Sequence, residues 1–581
     1  MNWYRIAVLT LSFIVPGTVL AQAFTPGTVK DPATAPSGQI LETVRQPFRL
    51  PPPSPDLVPH IPEPKPALGN QPKLRVKVTA FTFSGNTLIP EEELKGKVQE
   101  FVGKELNFEG LNDAATEVRA YYRSHGYFLA QAYLPEQTIR NGVVEIAIVE
   151  GRWGFIELDK KPATRISTQL LAGILGAHLQ QGGVITETGL ERPLLLINDL
   201  PDATVTTELR PSETVGAANL RVNVDPGAGP VNGQVDWDNQ GNRFTGEYRY
   251  GASLNLNSPL NYGDKFSARY FTTDEKMSYW RVAYDLPAGY YGTRVGVAYS
   301  YFEYVLSKDF ASLQAKGDGV VVSTYLFHPI VRTRNSNMLL NLGYDQKRLN
   351  DRVESTTPVT KTEQQIDTYK AGLVGDFRDG FLGGGLNAWS VTFTWGNLGT
   401  SAAASGGDTR GTQGDFNKTN IDLRRQQRVT EDVSFLFSFS GQWANKNLSS
   451  AEKMSLGGPN GVRAYPVGEA TADMGHVIQN ELRYIVPKFK FLEGDLTLFG
   501  FFDYGWAQIN RNPATDPTTG VVTDSENIRS FSGSGLGTSL GKDGNYLLRV
   551  SASWPYTTKE RPESDTARRV PRFWMQAIKW F

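Results

Sequence analysis

Residues 433–443 read Val433-Ser434-Phe435-Leu436-Phe437-Ser438-Phe439-Ser440-Gly441-Gln442-Trp443. In an extended chain successive side chains point to opposite sides, so Val433, Phe435, Phe437, Phe439 and Trp443 share one face and Ser434, Ser438, Ser440 and Gln442 the other. The same period recurs at 546–554, where Tyr546, Leu548, Val550, Ala552 and Trp554 oppose Arg549, Ser551 and Ser553. It recurs again where Tyr248, Tyr250, Ala252, Leu254 and Leu256 alternate with Glu247, Arg249, Ser253, Asn255 and Asn257. Charge and amide on the second face mean that this face is wet. Two architectures fit: a soluble sandwich, or a transmembrane antiparallel β-barrel with an aqueous lumen. About sixteen strands start near residues 230, 246, 264, 278, 293, 319, 337, 365, 385, 415, 433, 476, 494, 527, 545 and 572. A sandwich rarely takes so many, and Trp443, Trp506 and Trp554 at strand ends resemble an interfacial girdle, so residues 228–581 are read as the barrel.

Connection lengths point the same way. With the N-terminal part of the chain on the periplasmic side, even-to-odd connections face it, and those at 287–292, 379–384, 430–432 and 542–544 are short. The odd-to-even connections at 399–414, 445–475, 510–526 and 557–570 are long and polar, the asymmetry expected of an outer-membrane barrel. An even strand count returns the terminal Phe581 to the inner side, although Lys579 in phase with Phe581 makes the last strand alternate less cleanly.

Before the barrel the chain has three parts. Residues 1–23 carry Arg5, an apolar run over 6–15 and the small-residue ending Val19-Leu20-Ala21-Gln22-Ala23, the pattern of an export signal cleaved after Ala21 or Ala23. The run falls short of the ~20 apolar residues of a spanning helix. Residues 24–72 hold 13 of the 34 prolines and read as an extended tether, with 38–46 either a short docking helix or frayed linker. Residues 73–227 carry a β-α-α-β-β order twice. The first copy has a strand at 76–83, helices at 90–101 and 111–124, and strands at 130–134 and 143–150. The second has a strand at 153–158, helices at 167–175 and 186–200, and strands at 203–209 and 219–225. Such small paired modules suit a binding arm, being too small to shelter a deep active site.

Composition removes many function classes. The chain has 581 residues with 59 Lys+Arg against 60 Asp+Glu, so no basic field exists for nucleic acid. It has no Cys, and its five His at 60, 125, 178, 328 and 476 form no HExxH, which excludes thiolate chemistry and leaves no expected metal site or cofactor. No nucleophile and base are recognisably paired, so the protein is not expected to be an enzyme. No GxxxxGK[ST] occurs, and the run Gly533-Ser534-Gly535-Leu536-Gly537 lies within a strand, where small lumen-facing or bulged residues explain it better than a phosphate loop.

The connection at 445–475, the sixth external loop, contains Gly457-Gly458-Pro459-Asn460-Gly461-Val462-Arg463-Ala464-Tyr465-Pro466. Glycines permit tight turns and a guanidinium seeks a two-pronged carboxylate. The next upgoing strand offers Asp503 on its lumen face beside Phe499 and Phe501, opposite a lipid face of Leu496, Leu498, Phe502, Tyr504 and Trp506. A latch is therefore expected, with loop 6 folded into the barrel and Arg463 paired to Asp503.

Val462-Arg463-Ala464-Tyr465 resembles the VRGY/F loop-6 motif of the POTRA-bearing superfamily of outer-membrane barrel assembly factors and exporters. Phe502-Asp503-Tyr504-Gly505 resembles its strand-13 motif. Phe83-Ser84-Gly85-Asn86, Gly126-Tyr127, Ala132-Tyr133-Leu134-Pro135-Glu136-Gln137 and Val149-Glu150-Gly151 look like the first POTRA domain of two-partner secretion transporters, the haemolysin/filamentous-adhesin exporter family. Two departures stand out: Ala464 occupies the usual Gly position, and Pro193 interrupts a helix of the second module.

The resemblance implies POTRA 1 at 73–151, POTRA 2 at 152–227 and a sixteen-stranded outer-membrane pore of a two-partner (type Vb) system. It implies Arg463 and Asp503 as latch, with Gly458, Gly461, Val462, Ala464, Tyr465, Phe502 and Gly505 as the motif residues around it. It also implies export of one large β-helical partner, an adhesin, cytolysin or growth-inhibition toxin, without nucleotide hydrolysis and by a monomer in outer-membrane lipid. Tyr133, Leu134 and Gln137 are expected near a POTRA 1 capture groove, where strand addition supplies affinity; for Tyr133 and Leu134 packing of the module itself is an equal alternative. The alternative function is an assembly factor of the same superfamily that inserts other barrels; two modules with a proline tether fit an exporter better.

Overall fold

The computed structural model describes residues 37, 55, 57, 75–400, 408, 410–513, 526–556, 565 and 569–581. The export signal at 1–23, the helix at 38–46, nearly all of the tether and much of the external loops at 399–414, 510–526 and 557–570 lie outside the described residues.

The first small unit comprises β1 (Arg75–Lys77), β2 (Ala80–Ser84), α1 (Glu91–Val98), β3 (Glu105–Asn107), α2 (Phe108–Ser124), β4 (Gln131–Tyr133) and β5 (Val143–Val149). The single strand expected at 76–83 is two strands in two sheets: β1 pairs with β3, while β2 runs parallel to β5 in the order β2-β5-β4. The break falls at Val78, whose side chain is buried and whose amide and carbonyl bond Lys104 and Gly103. Asn107 caps α2 by accepting from the Gly110 amide at 2.9 Å, so this helix starts three residues earlier than its apolar periodicity indicates. Leu111, Ala114, Ala115, Val118 and Tyr122 then face the core at helical spacing.

The motif residues of this unit hold it together. Gly85 has φ +81°, and a Cβ there would lie 2.2 Å from the Ile148 carbonyl oxygen. The buried Glu150 carboxylate accepts from the amides of Thr87 (2.5 Å) and Leu88 (2.7 Å) and from the Tyr122 hydroxyl (3.1 Å). Burial pushes its pKa up, but the Thr87, Leu88 and Tyr122 donors outweigh that and hold it below the ordinary 4.5. A depressed carboxyl contributes stability above its unfolded-state value and loses it as pH falls through the folded one. Proteolysis of the N-terminal unit in the full chain should therefore accelerate only below about pH 4.5. Glu150→Gln should weaken the unit by ~1–3 kcal/mol at neutral pH, and unchanged protease resistance would refute this anchoring role.

The second unit has β6 (Arg152–Lys160), α3 (Thr168–His178), α4 (Glu187–Asn198), β7 (Thr204–Pro211) and β8 (Ala217–Asp225), with sheet order β6-β8-β7. Ser167 and Thr186 cap its helices. Pro193 does not end α4, which continues to Asn198 with Pro193 buried.

The rest closes into one barrel of sixteen antiparallel strands. In chain order they are β9 (Val231–Asp238), β10 (Arg249–Asn257), β11 (Lys265–Thr273), β12 (Ser278–Pro287), β13 (Arg294–Val305), β14 (Ala315–Arg332), β15 (Ser336–Val353), β16 (Thr360–Asp379), β17 (Gly385–Thr400), β18 (Gly414–Arg428) and β19 (Val433–Ala444). A two-strand ladder inside loop 6 follows, β20 (Met454–Ser455) with β21 (Thr471–Ala472). The wall resumes with β22 (Met474–Phe491), β23 (Gly494–Gln508), β24 (Ile528–Lys542), β25 (Tyr546–Pro555) and β26 (Arg572–Trp580). β26 meets β9 to close the ring, and Phe581 exchanges two main-chain bonds with Gly233. A Cβ on Gly233 would come within 2.7 Å of the Phe581 ring, which fixes why glycine stands there.

The second unit sits against the short inner connections. Asp199 takes a two-pronged bond from Arg332 (2.6 and 2.7 Å), and Arg192 donates to the Pro329 carbonyl at 2.7 Å. His178 lies against Tyr291, with ring centres 5.2 Å apart. The arm and the even-to-odd turns therefore share one end of the barrel.

Candidate functional site in the barrel lumen

Period-two alternation sends Asp503 of β23 inward, where it is fully buried, and leaves Phe502 outward beside Tyr556. Loop 6 re-enters the barrel and delivers Arg463 to that carboxylate. The guanidinium Nε and Nη2 donate to the two Asp503 oxygens at 2.8 and 2.7 Å, and the Arg463 amide adds a third bond at 3.0 Å. The remaining Nη1 donates to Glu481 of β22 at 2.6 Å. The guanidinium also lies 3.6 Å from the centre of the Phe501 ring. One arginine thus spans two strands, with the donors of its planar fork divided between two carboxylates.

The backbone of Arg463 is held from the other side. Its carbonyl accepts from the Ser553 hydroxyl on β25 and from the Trp574 indole on β26, both at 2.7 Å. Glu481 is itself surrounded, since Arg483 and Arg549 also bind it, at 2.7 and 2.9 Å.

The motif residues shape the turn that carries Arg463. Gly458 has φ +106°, and a Cβ on Gly461 would fall 2.0 Å from the Leu456 carbonyl oxygen, so glycine is required at both. The Val462 amide donates to Leu456 (2.7 Å) and the Tyr465 amide to Val462 (3.0 Å), making a compact knot. Val462 packs onto Gly505, where a Cβ would approach it to 2.9 Å. Tyr465 is buried against Phe531, ring centres 4.3 Å apart. Ala464, at the usual glycine position, has its methyl over Gly533 of β24, where an added Cβ would lie only 2.4 Å away. The glycine run of β24 is therefore a set of seats: Gly533 for Ala464, Gly535 for Phe501 and Gly537 for Phe499.

A second anchor, which the sequence reading did not identify, holds the start of loop 6. Buried Glu452 pairs with Lys347 of β15 and with Lys418 of β18 (2.8 Å), and its carbonyl accepts from Lys418 and from Gln442 at 2.6 and 3.0 Å. Further along, Glu469 pairs with Arg529 at 3.3 Å and Asp473 with Lys453 at 3.0 Å. A lumen cavity of about 1460 Å³ remains beside the loop.

The three residues expected at a POTRA 1 groove are not brought into one site. Tyr133 is half exposed on the edge strand β4, while Leu134 packs against the unit's own core. Gln137 spends its amide on the main chain of Glu145, donating at 2.8 Å and accepting at 2.8 Å, so it extends the pairing of β5 beyond the end of β4.

Comparison with known proteins gives a consistent picture. The family described as haemolysin secretion/activation protein ShlB/FhaC/HecB matches residues 216–526, and the ShlB-type POTRA domain matches 76–151. The heme/hemopexin transporter protein HuxB of Haemophilus influenzae (strain 86-028NP) is 29% identical over 500 residues, 85% of each chain. The outer membrane transporter CdiB of Escherichia coli O6:K15:H31 (strain 536 / UPEC) is 25% identical over 448 residues, 75% of this chain and 73% of that one. The solved structure of CdiB from Escherichia coli superposes with a TM-score of 0.68 at 22% identity, covering 89% of this chain and 92% of that one, and so shares the fold.

Proposed function

The chain belongs to the haemolysin secretion/activation family of ShlB, FhaC and HecB, and we propose on that footing how its parts divide the work of secretion. It is the outer-membrane pore of a two-partner system, with the POTRA arm in the periplasm and a secreted exoprotein as its passenger. Its role is transport. Residues 1–23 direct export and are removed, and 24–72 tether the arm. The passenger is a large β-rich chain that arrives unfolded, is captured by the arm and folds outside, which makes the step directional without nucleotide. A single chain in outer-membrane lipid suffices.

The observation that carries this division is the loop 6 seat: an ordered segment fills part of a closed barrel and is held there by ionic contacts on two separate sets of strands. Polar anchors of this kind exchange with water and with a passing chain more readily than a packed apolar plug. Capture belongs to the first unit, where β4 is an edge strand among the described residues and exposes Tyr133. Leu134 and Gln137 support this edge from within.

Deleting 75–151 tests the assignment. The barrel should still insert, read as heat-modifiable migration, while passenger secretion falls to background. Undiminished secretion would remove the first unit from the capture step.

A further inference from the structure

The cavity left in the lumen is strongly asymmetric in charge. Among the described residues that line it are eleven Arg and Lys but only five Asp and Glu, whereas the whole chain has 59 basic and 60 acidic residues. The surplus therefore reflects where the fold puts its charges. Every one of the five acids is already ion-paired: Asp236 with Arg269, Asp238 with Arg249, Asp345 with Lys370, Glu452 with two lysines and Glu481 with three arginines. Cations remain beyond these pairs. Arg281 donates to the Ser300 hydroxyl at 3.0 Å, and Lys265 lines the same cavity.

The strand register makes the pattern costlier than it need be. Arg281 of β12 stands directly opposite Arg269 of β11, and like charges facing each other across a strand pair are destabilising. Among the described residues Arg269 is ion-paired, to Asp236, while the bond seen for Arg281 goes to the neutral Ser300 hydroxyl. A lumen with low-dielectric walls focuses the field of such unbalanced cations along the pore axis.

We propose that this pore is anion-selective, and that the same field draws in acidic stretches of unfolded polypeptide and holds back basic ones. The second clause rests on the export function; the first concerns small ions alone and stands without it. In planar bilayers under a potassium chloride gradient, the purified full chain should show a reversal potential of the sign set by chloride, with chloride permeating several-fold better than potassium. Lys265→Glu/Arg281→Glu should move the reversal potential toward the potassium side. If loop 6 keeps the wild-type current too small to read, Arg463→Ala supplies the open channel and the same sign decides. Polyglutamate added on the arm side should block this current at several-fold lower concentration than polylysine of equal length. A reversal potential at zero or on the potassium side overturns the selectivity, and stronger block by polylysine overturns the passenger preference. Loss of secretion in cells is read separately, so a failure of the export assignment leaves the bilayer result standing.

Discussion

Arg463→Ala abolishes passenger secretion while the barrel remains at near-normal levels in the membrane: this is the expected result, and its size follows from what the substitution leaves behind. Asp503 is fully buried, and its partners in the structure are the side chain and amide of Arg463. Removing one member of a buried ion pair costs ~3–5 kcal/mol because the other charge stays uncompensated. Seating of loop 6 should then weaken by more than ~100-fold. Asp503→Ala should be milder, since Arg463 keeps Glu481 and the Phe501 ring. Arg463→Lys should fall between wild type and Arg463→Ala, as an ammonium keeps a counter-charge near Asp503 but loses the planar fork that meets Asp503 with two donors and Glu481 with a third. The double variant Arg463→Ala/Asp503→Ala should secrete no worse than Arg463→Ala, because both changes remove one contact. Fully additive losses, or normal secretion by Arg463→Ala at equal membrane levels, would remove the pairing from the mechanism.

What the sequence disclosed and what it hid follow a physical divide. Period-two alternation is local, so all sixteen strand positions could be read from runs such as 433–443, and the inward side of Asp503 came with them. β3 has three residues, too few to show any period, and it exists because β1 needs a partner. The division of 76–83 at Val78 likewise depends on contacts with Gly103 and Lys104 rather than on its own residues. Glu481 alternates in phase with Gln479 and Arg483 on β22, but was not singled out from the sequence. That Arg463 reaches it as well as Asp503 depends on the registry of β22 against β23, where Gln479 stands opposite Asp503 and Glu481 opposite Phe501. The glycines at 533, 535 and 537 were legible as small lumen residues, but their occupants lie on a neighbouring strand and on a loop. Glu452 was the least legible of all: it sits in a short 3-10 turn with no motif, and its two lysines lie 105 and 34 residues away.

Glu452→Ala should nevertheless rival Arg463→Ala in its effect on the pore. The Arg463 seat engages the twelfth, thirteenth, fifteenth and sixteenth barrel strands, whereas Glu452 engages the seventh and tenth through Lys347 and Lys418. Loop 6 is thus a strap tied at both ends, and cutting the Glu452 end takes from two buried ammonium groups the carboxylate that they share. The cost again falls near ~3–5 kcal/mol, and the 450–452 turn should leave the wall. Single-channel conductance in lipid bilayers should rise, because the strap then covers less of the lumen. The two anchors share no residue, so Glu452→Ala and Arg463→Ala should act additively, unlike the Arg463 and Asp503 pair. A triple change, Glu452→Met with Lys347→Met and Lys418→Met, separates charge from packing: apolar residues of similar volume commonly replace a buried ionic cluster without loss. It should restore low conductance. A triple variant as leaky as Glu452→Ala would show that the ionic bonds themselves, and not the filled contact, keep the strap closed, and a single variant with wild-type conductance would show that Glu452 does not hold it at all.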